Sequence, residues 1–581
     1  MSAQSVHIAI VGLGPKGFYG LERLLATFGQ AKHTPAVHLH LFNESEHWAT
    51  GWIYNPGQPD YLLMNYPNRH ISIAPESPPK PLIDLPAFTE WRSKRTGRTP
   101  EEEAALIAPR NEVGHYLKQY FDELSAMRLP NLSISKHITR VTGISRNDTT
   151  FQLQTSDACV DQLCFESVLV TTGHSTSINS KLQTETPHPR HIPFVYPFSE
   201  RLGHIPPGAV VACKGMGLTA IDTLLGLTEG RGGQFVETEE DGLQYRKSGD
   251  EPARILPYSR SGIPIIPRGG QTNTYTQTSF YLHNFVAQLP EGCRQLDFET
   301  EVLPYIIQDL ECSYYYALFD SYGFDFNPVH NRVAFQQLQE AFHKLNPGAE
   351  AFDVNNLWFP KLEPDTDQQK AVATYWDFWL NELEQQNSAY AAAASSWRFL
   401  AKDFNKLYSA GLLSAQSEIR IQQHYFGLFN RTAYGPPVAN IKKMRALMRA
   451  GILDFSYARG AELSTNPQLQ LTRNSKPIAI DYSLDARIPR GFSKKASLLF
   501  NADPELFSCS DPSTGNLRCT REGHPLNAAD RTETRVVLYG TPTEARLFDN
   551  DTLSREHNDT ASRWAQETAD RLIQKDTLII N

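Results

Sequence analysis

Gly12, Gly14 and Gly17 stand in the spacing GxGxxG, directly after the apolar run at 6–11 (VHIAIV). Each glycine has its own task in gripping a pyrophosphate. The one at 12 permits a tight turn, the one at 14 lets backbone approach the phosphates, and the one at 17 lets a helix pack on the strand. The exposed amides and the positive end of the following helix then attract phosphate charge. Pro15 and Lys16 complete the turn, with Lys16 where a small residue is more usual. The spacing alone is common, and its place between a strand and a helix is what marks it as a dinucleotide turn. The acid expected at the end of the second strand is displaced, since the run at 37–42 is followed by Asn43 and Glu44. Either Glu44 reaches the ribose hydroxyls through a small register change, or Asn43 replaces it. The plainer alternative is that Glu44 is a solvated turn residue.

Four further stretches carry possible chemistry. At 167–174 (SVLVTTGH) a strand ends in Thr172-Gly173, a small turn that lets a ligand come close. At 210–222 (VVACKGMGLTAID) Gly215 and Gly217 follow a strand, Thr219 opens a helix, and Ala220 stands at the third glycine position, an accepted variant. A strand at 255–258 then leads to Arg260, whose guanidinium suits the 2′-phosphate of NADPH. The competing reading is a domain that keeps the fold without binding nicotinamide. The segment 49–73 includes Gly51, Trp52 and Asn65, the last in an apolar-flanked loop where its amide can meet a flavin ring edge. Arg69 and His70 follow; solvated loop residues are the default there, and substrate carboxylate contact the alternative. Finally, Gly540, Thr541, Pro542, Thr543 and Glu544 follow the strand at 536–538. A glycine turn that opens a helix there would aim amides and a positive dipole at a flavin pyrimidine.

The elements around these turns alternate. Strand 6–11, helix 18–28 and strand 37–42 make one βαβ unit with parallel strands and a right-handed crossover. Residues 55–110 read as Pro-rich and irregular, with a polar insertion around 92–103, before helical period returns at 111–124. Strands are expected at 133–138, 151–155 and 167–172, and helices at 371–383, 389–407, 438–450 and 561–574. The 581 residues exceed one hydrophobic core, and 40% hydrophobic with 20% charged residues fits a globular chain. A net charge of −9 without a dense Lys/Arg run gives no electrostatic footprint for nucleic acid. Seven scattered cysteines form no CxxC, which argues against a zinc site or a disulfide framework and fits a reducing cytoplasm. The N-terminus reads as a strand, and no window approaches the roughly 18 apolar residues of a membrane helix, so neither export signal nor membrane span is expected.

Together, IAIVGLGPKGFYGLERLL, TGWIY, LLMNYP, PRNEVGHYL, LVTTGH, KGMGLTAID with YSRSGIP, and YGTPTEA resemble the FAD/NAD(P)-binding flavoproteins. These are similar in organisation to flavin-dependent N-hydroxylating monooxygenases of the nitrosuccinate-synthase type. The resemblance implies an α/β fold with two Rossmann-like dinucleotide-binding domains and a mostly helical insertion. The FAD-binding domain would span 1–200 and be completed by 485–581, with the NAD(P)H-binding domain at 205–300 and the insertion at 301–484. Gly12, Gly14 and Gly17 would hold the FAD pyrophosphate, Asn65 and Thr541–Glu544 would lie near the ring, and Arg110 would line the FAD. Gly215, Gly217, Thr219 and Arg260 would meet NADPH. The implied reaction is NADPH-consuming oxygenation of a small amine or amino acid by O₂, with Arg69 or Arg268 as candidate substrate contacts. The alternatives are an NAD(P)H-dependent flavin reductase serving a partner and a nucleotide-binding scaffold without catalysis.

Overall fold

The computed structural model describes residues 5–31, 34–174, 188–239, 242–268, 280–290, 292–329, 331–360, 367–385, 387–465, 468–488, 498–500, 502–508, 516–544, 546–550, 552–555 and 558–580. Its strands in chain order are β1 Val6–Val11, β2 Val37–Asn43, β3 Leu132–Ile138, β4 Gly143–Asn147, β5 Thr150–Gln154, β6 Phe165–Val170, β7 His191–Ile192 and β8 Val210–Lys214. They continue with β9 Gln234–Thr238, β10 Gly242–Arg246, β11 Arg254–Tyr258, β12 Glu462–Ser464, β13 Gln470–Arg473, β14 Lys476–Ala479, β15 Tyr482–Asp485 and β16 Val536–Leu538. The chain forms two compact units. One comprises Met1–Leu62, Pro67–Thr186 and Ile488–Asn581, the other Leu63–Tyr66 and Pro187–Arg487.

In the first unit the sheet order is β3-β2-β1-β6-β5-β4, with β16 also paired to β6. β1 pairs in parallel with β2 and β6, and β16 in parallel with β6. The chain therefore winds to one side of β1 first and to the other side later. That reversal creates a switch point at the carboxyl ends of β1 and β6, where open α/β sheets bind ligands. The apolar run of β1 is buried from Ile8 to Val11, as a strand covered on both faces must be. Helix α1, Pro15–Gln30, follows with proline in its first turn, where a missing amide costs nothing.

The C-terminal helix, Thr560–Ile580, explains why α1 is buried along most of its length. A Cβ on Gly20 would lie 2.3 Å from Leu169 Cδ2 and 3.5 Å from Trp564 Cζ3, so a side chain there would require the Leu169 side chain to move. The buried Trp564 donates its indole N–H to Ser167 Oγ at 3.0 Å, and Tyr19 donates its hydroxyl to the Leu553 carbonyl at 2.8 Å. Trp564→Phe deletes the donor and leaves a cavity where the larger indole stood; the expected loss of stability is about 2 kcal/mol or more, read by urea unfolding.

Two expectations fail locally. The polar stretch at 92–103 is not an irregular insertion. It contributes to helices Phe88–Thr96 and Pro100–Ala104, the second opened by a reciprocal cap between Thr99 and Glu102. Glu103 is buried and met by Arg92 Nε at 3.0 Å and Thr96 Oγ1 at 2.8 Å, so charges that look solvated in sequence instead satisfy one another. β4, antiparallel to β5, was also not anticipated.

In the second unit β11-β8-β15-β7 form a parallel sheet. The segments expected as a nicotinamide domain and a helical insertion fall within this one unit, and the late strand β15 lies directly beside β8. Its long helices include Leu303–Ser321, Gln368–Glu384, Ala389–Ala410 and Val438–Arg449. Among the described residues no helix is long and apolar enough to cross a membrane. Cys509 and Pro187 lie outside the described residues.

Candidate functional site

In the first unit the glycine turn follows β1, the Thr171–Gly173 turn follows β6, and the Gly540 turn follows β16. Parallel pairing brings all three to the same end of the sheet, and the Tyr539 amide donates to the Val170 carbonyl at 2.9 Å. Gly12 has φ +93°, and a Cβ there would lie 2.8 Å from the Thr171 carbonyl oxygen. A Cβ on Gly17 would fall 2.1 Å from the Gly12 carbonyl oxygen. These two glycines are therefore required by the protein itself. Gly14 is different: a Cβ there would meet nothing within 4 Å. Its open side lies at the amino end of a 16-residue helix that no side chain caps, where a phosphate can approach the backbone. Thr172 Oγ1, in the neighbouring turn, is buried with no hydrogen-bond partner among the described residues, as expected of a group that waits for a ligand.

Of the two candidates at the end of the second strand, Asn43 is the one that contacts the glycine turn. Its Oδ1 accepts the Leu13 amide at 3.2 Å and its Nδ2 donates to the Ser45 carbonyl at 2.9 Å, which braces the glycine turn. Glu44 instead pairs with Arg140 at 3.2 Å, with both side chains more than half exposed. Lys16 keeps its place in the turn, but its ammonium donates to the Ser554 carbonyl at 3.0 Å and sits 4.9 Å from the Tyr539 ring centre. Gly51, at φ +56°, lies against the turn, where its Cβ would be 3.7 Å from Gly14 Cα. Trp52 beside it is largely exposed. Arg110 begins helix Arg110–Ala126 and is buried, while Arg69 is exposed and donates to the Ala104 carbonyl at 3.4 Å.

The Gly540 turn corrects one expectation. It opens a three-residue 3-10 turn, Thr541–Thr543, and among the described residues no α-helix begins until Thr560. So short an element has little dipole, and its contribution is local. Thr543 Oγ1 donates to the Gly540 carbonyl at 2.8 Å and accepts Asn550 Nδ2 at 2.6 Å. Glu544 follows at the end of that turn.

The second unit repeats the arrangement. Gly215, at φ +134°, donates its amide to the Tyr258 carbonyl at 2.9 Å, and a Cβ there would lie 2.8 Å from the Ala486 carbonyl oxygen. Gly217 caps helix Leu218–Gly226, and its Cβ position is open, as at Gly14. Thr219 and Ala220 are buried in the first turn. Arg260 is exposed just beyond β11. Sequence reasoning missed Arg487, which lies beside this turn, 3.4 Å from the Cβ position of Gly215. Asp485 grips it with two bonds of 2.8 and 2.6 Å, and this pairing holds the guanidinium charged.

Asn65 belongs to this second unit and not to the first. Its carbonyl accepts Arg268 at 3.1 Å, its Nδ2 donates to the Tyr434 carbonyl at 3.3 Å, and the Arg268 amide donates to the Pro436 carbonyl at 2.7 Å. Two further arginines converge on the same stretch. Arg398 donates to the Ala433 carbonyl at 3.1 Å, and the Arg431 carbonyl accepts the Ile266 amide at 3.0 Å. Arg431 itself donates to the Trp358 carbonyl, while its Nε is buried without a partner, and burial pushes its pKa down. No carboxylate among the described residues lies within ion-pair distance of Arg431. The one sequence sign of this crowding is Gly435-Pro436-Pro437: a Cβ on Gly435 would overlap the Ile266 carbonyl oxygen at 1.5 Å.

Residues 9–175 match the FAD-NAD(P)-binding family. The first unit thus carries an FAD-NAD(P)-binding domain. Over most of its length the chain is similar to the nitrosuccinic acid synthase of Aspergillus oryzae, with 28% identity over 93% of this chain and 88% of the relative. It is also similar to a nitrosuccinate-forming L-aspartate N-monooxygenase of Streptomyces davaonensis, with 24% identity over 94% and 93% of the two chains. Among solved structures it is similar to the reduced form of an ornithine hydroxylase from Pseudomonas aeruginosa, with 10% identity over 98% of this chain and all of that one, at a TM-score of 0.47. The family match covers the Gly12–Gly17 turn, Asn43, Gly51 and Thr172–Gly173, and these are the groups that the FAD-NAD(P)-binding domain gathers at one end of its sheet.

Proposed function

We propose that this protein is an FAD-dependent, NADPH-consuming monooxygenase that N-hydroxylates a small amino acid, with L-aspartate the first substrate to try. The observation that carries this reading is the similarity to two nitrosuccinate-forming enzymes over more than nine-tenths of the chain, across both units. In this reading the flavin, once reduced, supplies the redox chemistry with O₂, which no side chain here can supply. The chain binds and orients. The first-turn amides behind Gly14 hold the FAD pyrophosphate, Asn43 keeps the turn in shape, and Thr172 Oγ1 contributes a hydrogen bond. The turn at Gly215–Thr219 receives the nicotinamide nucleotide. Arg431, a half-buried cation with no carboxylate in ion-pair distance among the described residues, and Arg268, which bonds the Asn65 carbonyl, match the charge of a dicarboxylic amino acid.

The test is NADPH consumption with L-aspartate against lysine, ornithine and simple amines, with ¹⁸O₂ incorporation into product. Stimulation by aspartate with a labelled N-oxygenated amino acid formed supports the reading. Hydride transfer to an added carrier, with no oxygenated product from any amine, overturns it and favours a reductase. Arg260→Ala is expected to raise the KM for NADPH about 10-fold or more and to leave that for NADH unchanged, because a charged hydrogen bond to the 2′-phosphate contributes about 1.5–3 kcal/mol. Equal effects on both nucleotides would remove Arg260 from phosphate recognition and point to Arg487.

A further inference from the structure

The strands of the first unit carry a second set of chemically active side chains that nucleotide binding does not use. His7 on β1, His38 and His40 on β2, and His137 on β3 share one face of the parallel sheet. His7 stands opposite His38 in register, and His137 opposite Phe42. His7 Nδ1 lies 2.9 Å from His40 Nε2, His40 Nδ1 lies 3.0 Å from His137 Nε2, and His38 Nε2 lies 2.8 Å from Ser135 Oγ. The His38 and His40 rings are 4.1 Å apart between centres. One ring nitrogen from each of His7, His38 and His40 lies within 4.8 Å of the others.

We propose that His7, His38 and His40 form a binding site for a divalent transition metal of the Zn²⁺ class, with His137 as the group that orients His40. Three imidazoles with an open fourth position are an established zinc donor set, and Zn–N bonds of about 2.0–2.1 Å in tetrahedral array separate the nitrogens by roughly 3.4 Å. Binding would have to bring the three nitrogens, now within 4.8 Å of one another, to that spacing. The contact of His40 Nδ1 with His137 is the kind of outer bond that fixes the tautomer and direction of a ligating ring. His40 is 3% exposed, and burial, helped by its histidine neighbours, pushes its pKa down to about 3. Burial likewise pushes the other three down. Sheet positions of this type ordinarily carry β-branched or aromatic residues, and the core beside the cluster does so with Val11, Phe42 and Phe165. His7 is at the amino end of β1, whereas the glycine turn follows its carboxyl end, so the metal site is separate from the nucleotide cradle.

The test uses the full-length, tag-free holoenzyme freed of metal by chelator. Zn²⁺ uptake is measured by equilibrium dialysis with elemental analysis, and site geometry by the visible spectrum with Co²⁺. One Zn²⁺ per chain, a tetrahedral Co²⁺ spectrum and a metal-dependent rise in Tm are expected. The half-buried pair is changed, His7→Gln with His38→Gln, since loss of the deeply buried His40 could disturb folding. Zn²⁺ binding should weaken by at least about 10-fold, with FAD content unchanged, because altering even an outer partner of a zinc ligand costs about 10–100-fold. Less than stoichiometric uptake by the unaltered chain, which needs no variant to interpret, overturns the proposal. So does stoichiometric uptake that the double variant retains.

Discussion

Gly14→Val is expected to abolish FAD binding while leaving the apoprotein folded, and Gly17→Ala is expected to do the reverse in order of cause. At Gly14 a side chain meets no protein atom within 4 Å, and its φ of −79° is open to any residue, so the fold has no objection. The added methyls would occupy the space into which a pyrophosphate must come. Losing the close approach to the amides should weaken FAD by at least about 100-fold, or roughly 2.7 kcal/mol. At Gly17 the new Cβ would lie 2.1 Å from the Gly12 carbonyl oxygen, a backbone atom that cannot swing away. Overpacking of that kind costs about 1–3 kcal/mol, and flavin would be lost because the turn is distorted. Flavin content on purification, FAD titration of the apoprotein and urea unfolding without FAD separate the two. Retained yellow colour in Gly14→Val would remove the pyrophosphate from this cradle. Unchanged apoprotein stability in Gly17→Ala would show that the turn relaxes more easily than its backbone contact implies.

The contrast between these glycines also shows what sequence could and could not tell. The strand–turn–helix order and parallel pairing follow from local signals: an apolar run, glycines at fixed offsets, and helical period; completion by the C-terminal segment was implied only by the family resemblance. The site was less legible wherever side chains from distant segments decide it. Asn43 against Glu44 was an open choice, because it depends on which side chain turns back toward the Leu13 amide. The 92–103 stretch looked solvated because the partner of a charge, here the buried Glu103, cannot be read from its neighbours. Residues Gly540–Glu544 resemble a helix start, yet Pro542 and the following sequence yield only one tight turn. Asp485–Arg487 and the Arg268–Arg398–Arg431 group were missed or only partly seen. Asp485 and Arg487 are neighbours in sequence, but the approach of Arg487 to Gly215 and the contacts of the arginine group span more than 30 residues of chain, and arginines carry no spacing rule.

Arg431→Met is expected to raise the KM for a dicarboxylic amino acid about 30-fold, or ~2 kcal/mol, with FAD content and substrate-free NADPH oxidation preserved. The argument begins with cost. A guanidinium whose Nε is buried and unpartnered, with no carboxylate within ion-pair distance among the described residues, is an expensive thing for a fold to keep. Methionine fills similar volume without polar atoms, so the fold should tolerate the change or gain from it. Only a ligand whose charge meets the guanidinium would register a loss. Arg431→Lys separates charge from geometry: an ammonium keeps the charge but cannot offer two parallel N–H groups to one carboxylate, so it should recover only part of the binding. Arg268→Met supplies an independent arm, since that guanidinium also supports the Asn65 carbonyl and should lower kcat as well as raise KM if Asn65 orients the substrate. An unchanged KM in both methionine variants would place the substrate carboxylates elsewhere. It would leave Arg431 as a structural cation anchored on the Trp358 carbonyl. A rise for dicarboxylic but not for monocarboxylic amino acids would assign Arg431 to the side-chain carboxylate, and with it the preference of this site among amino acids.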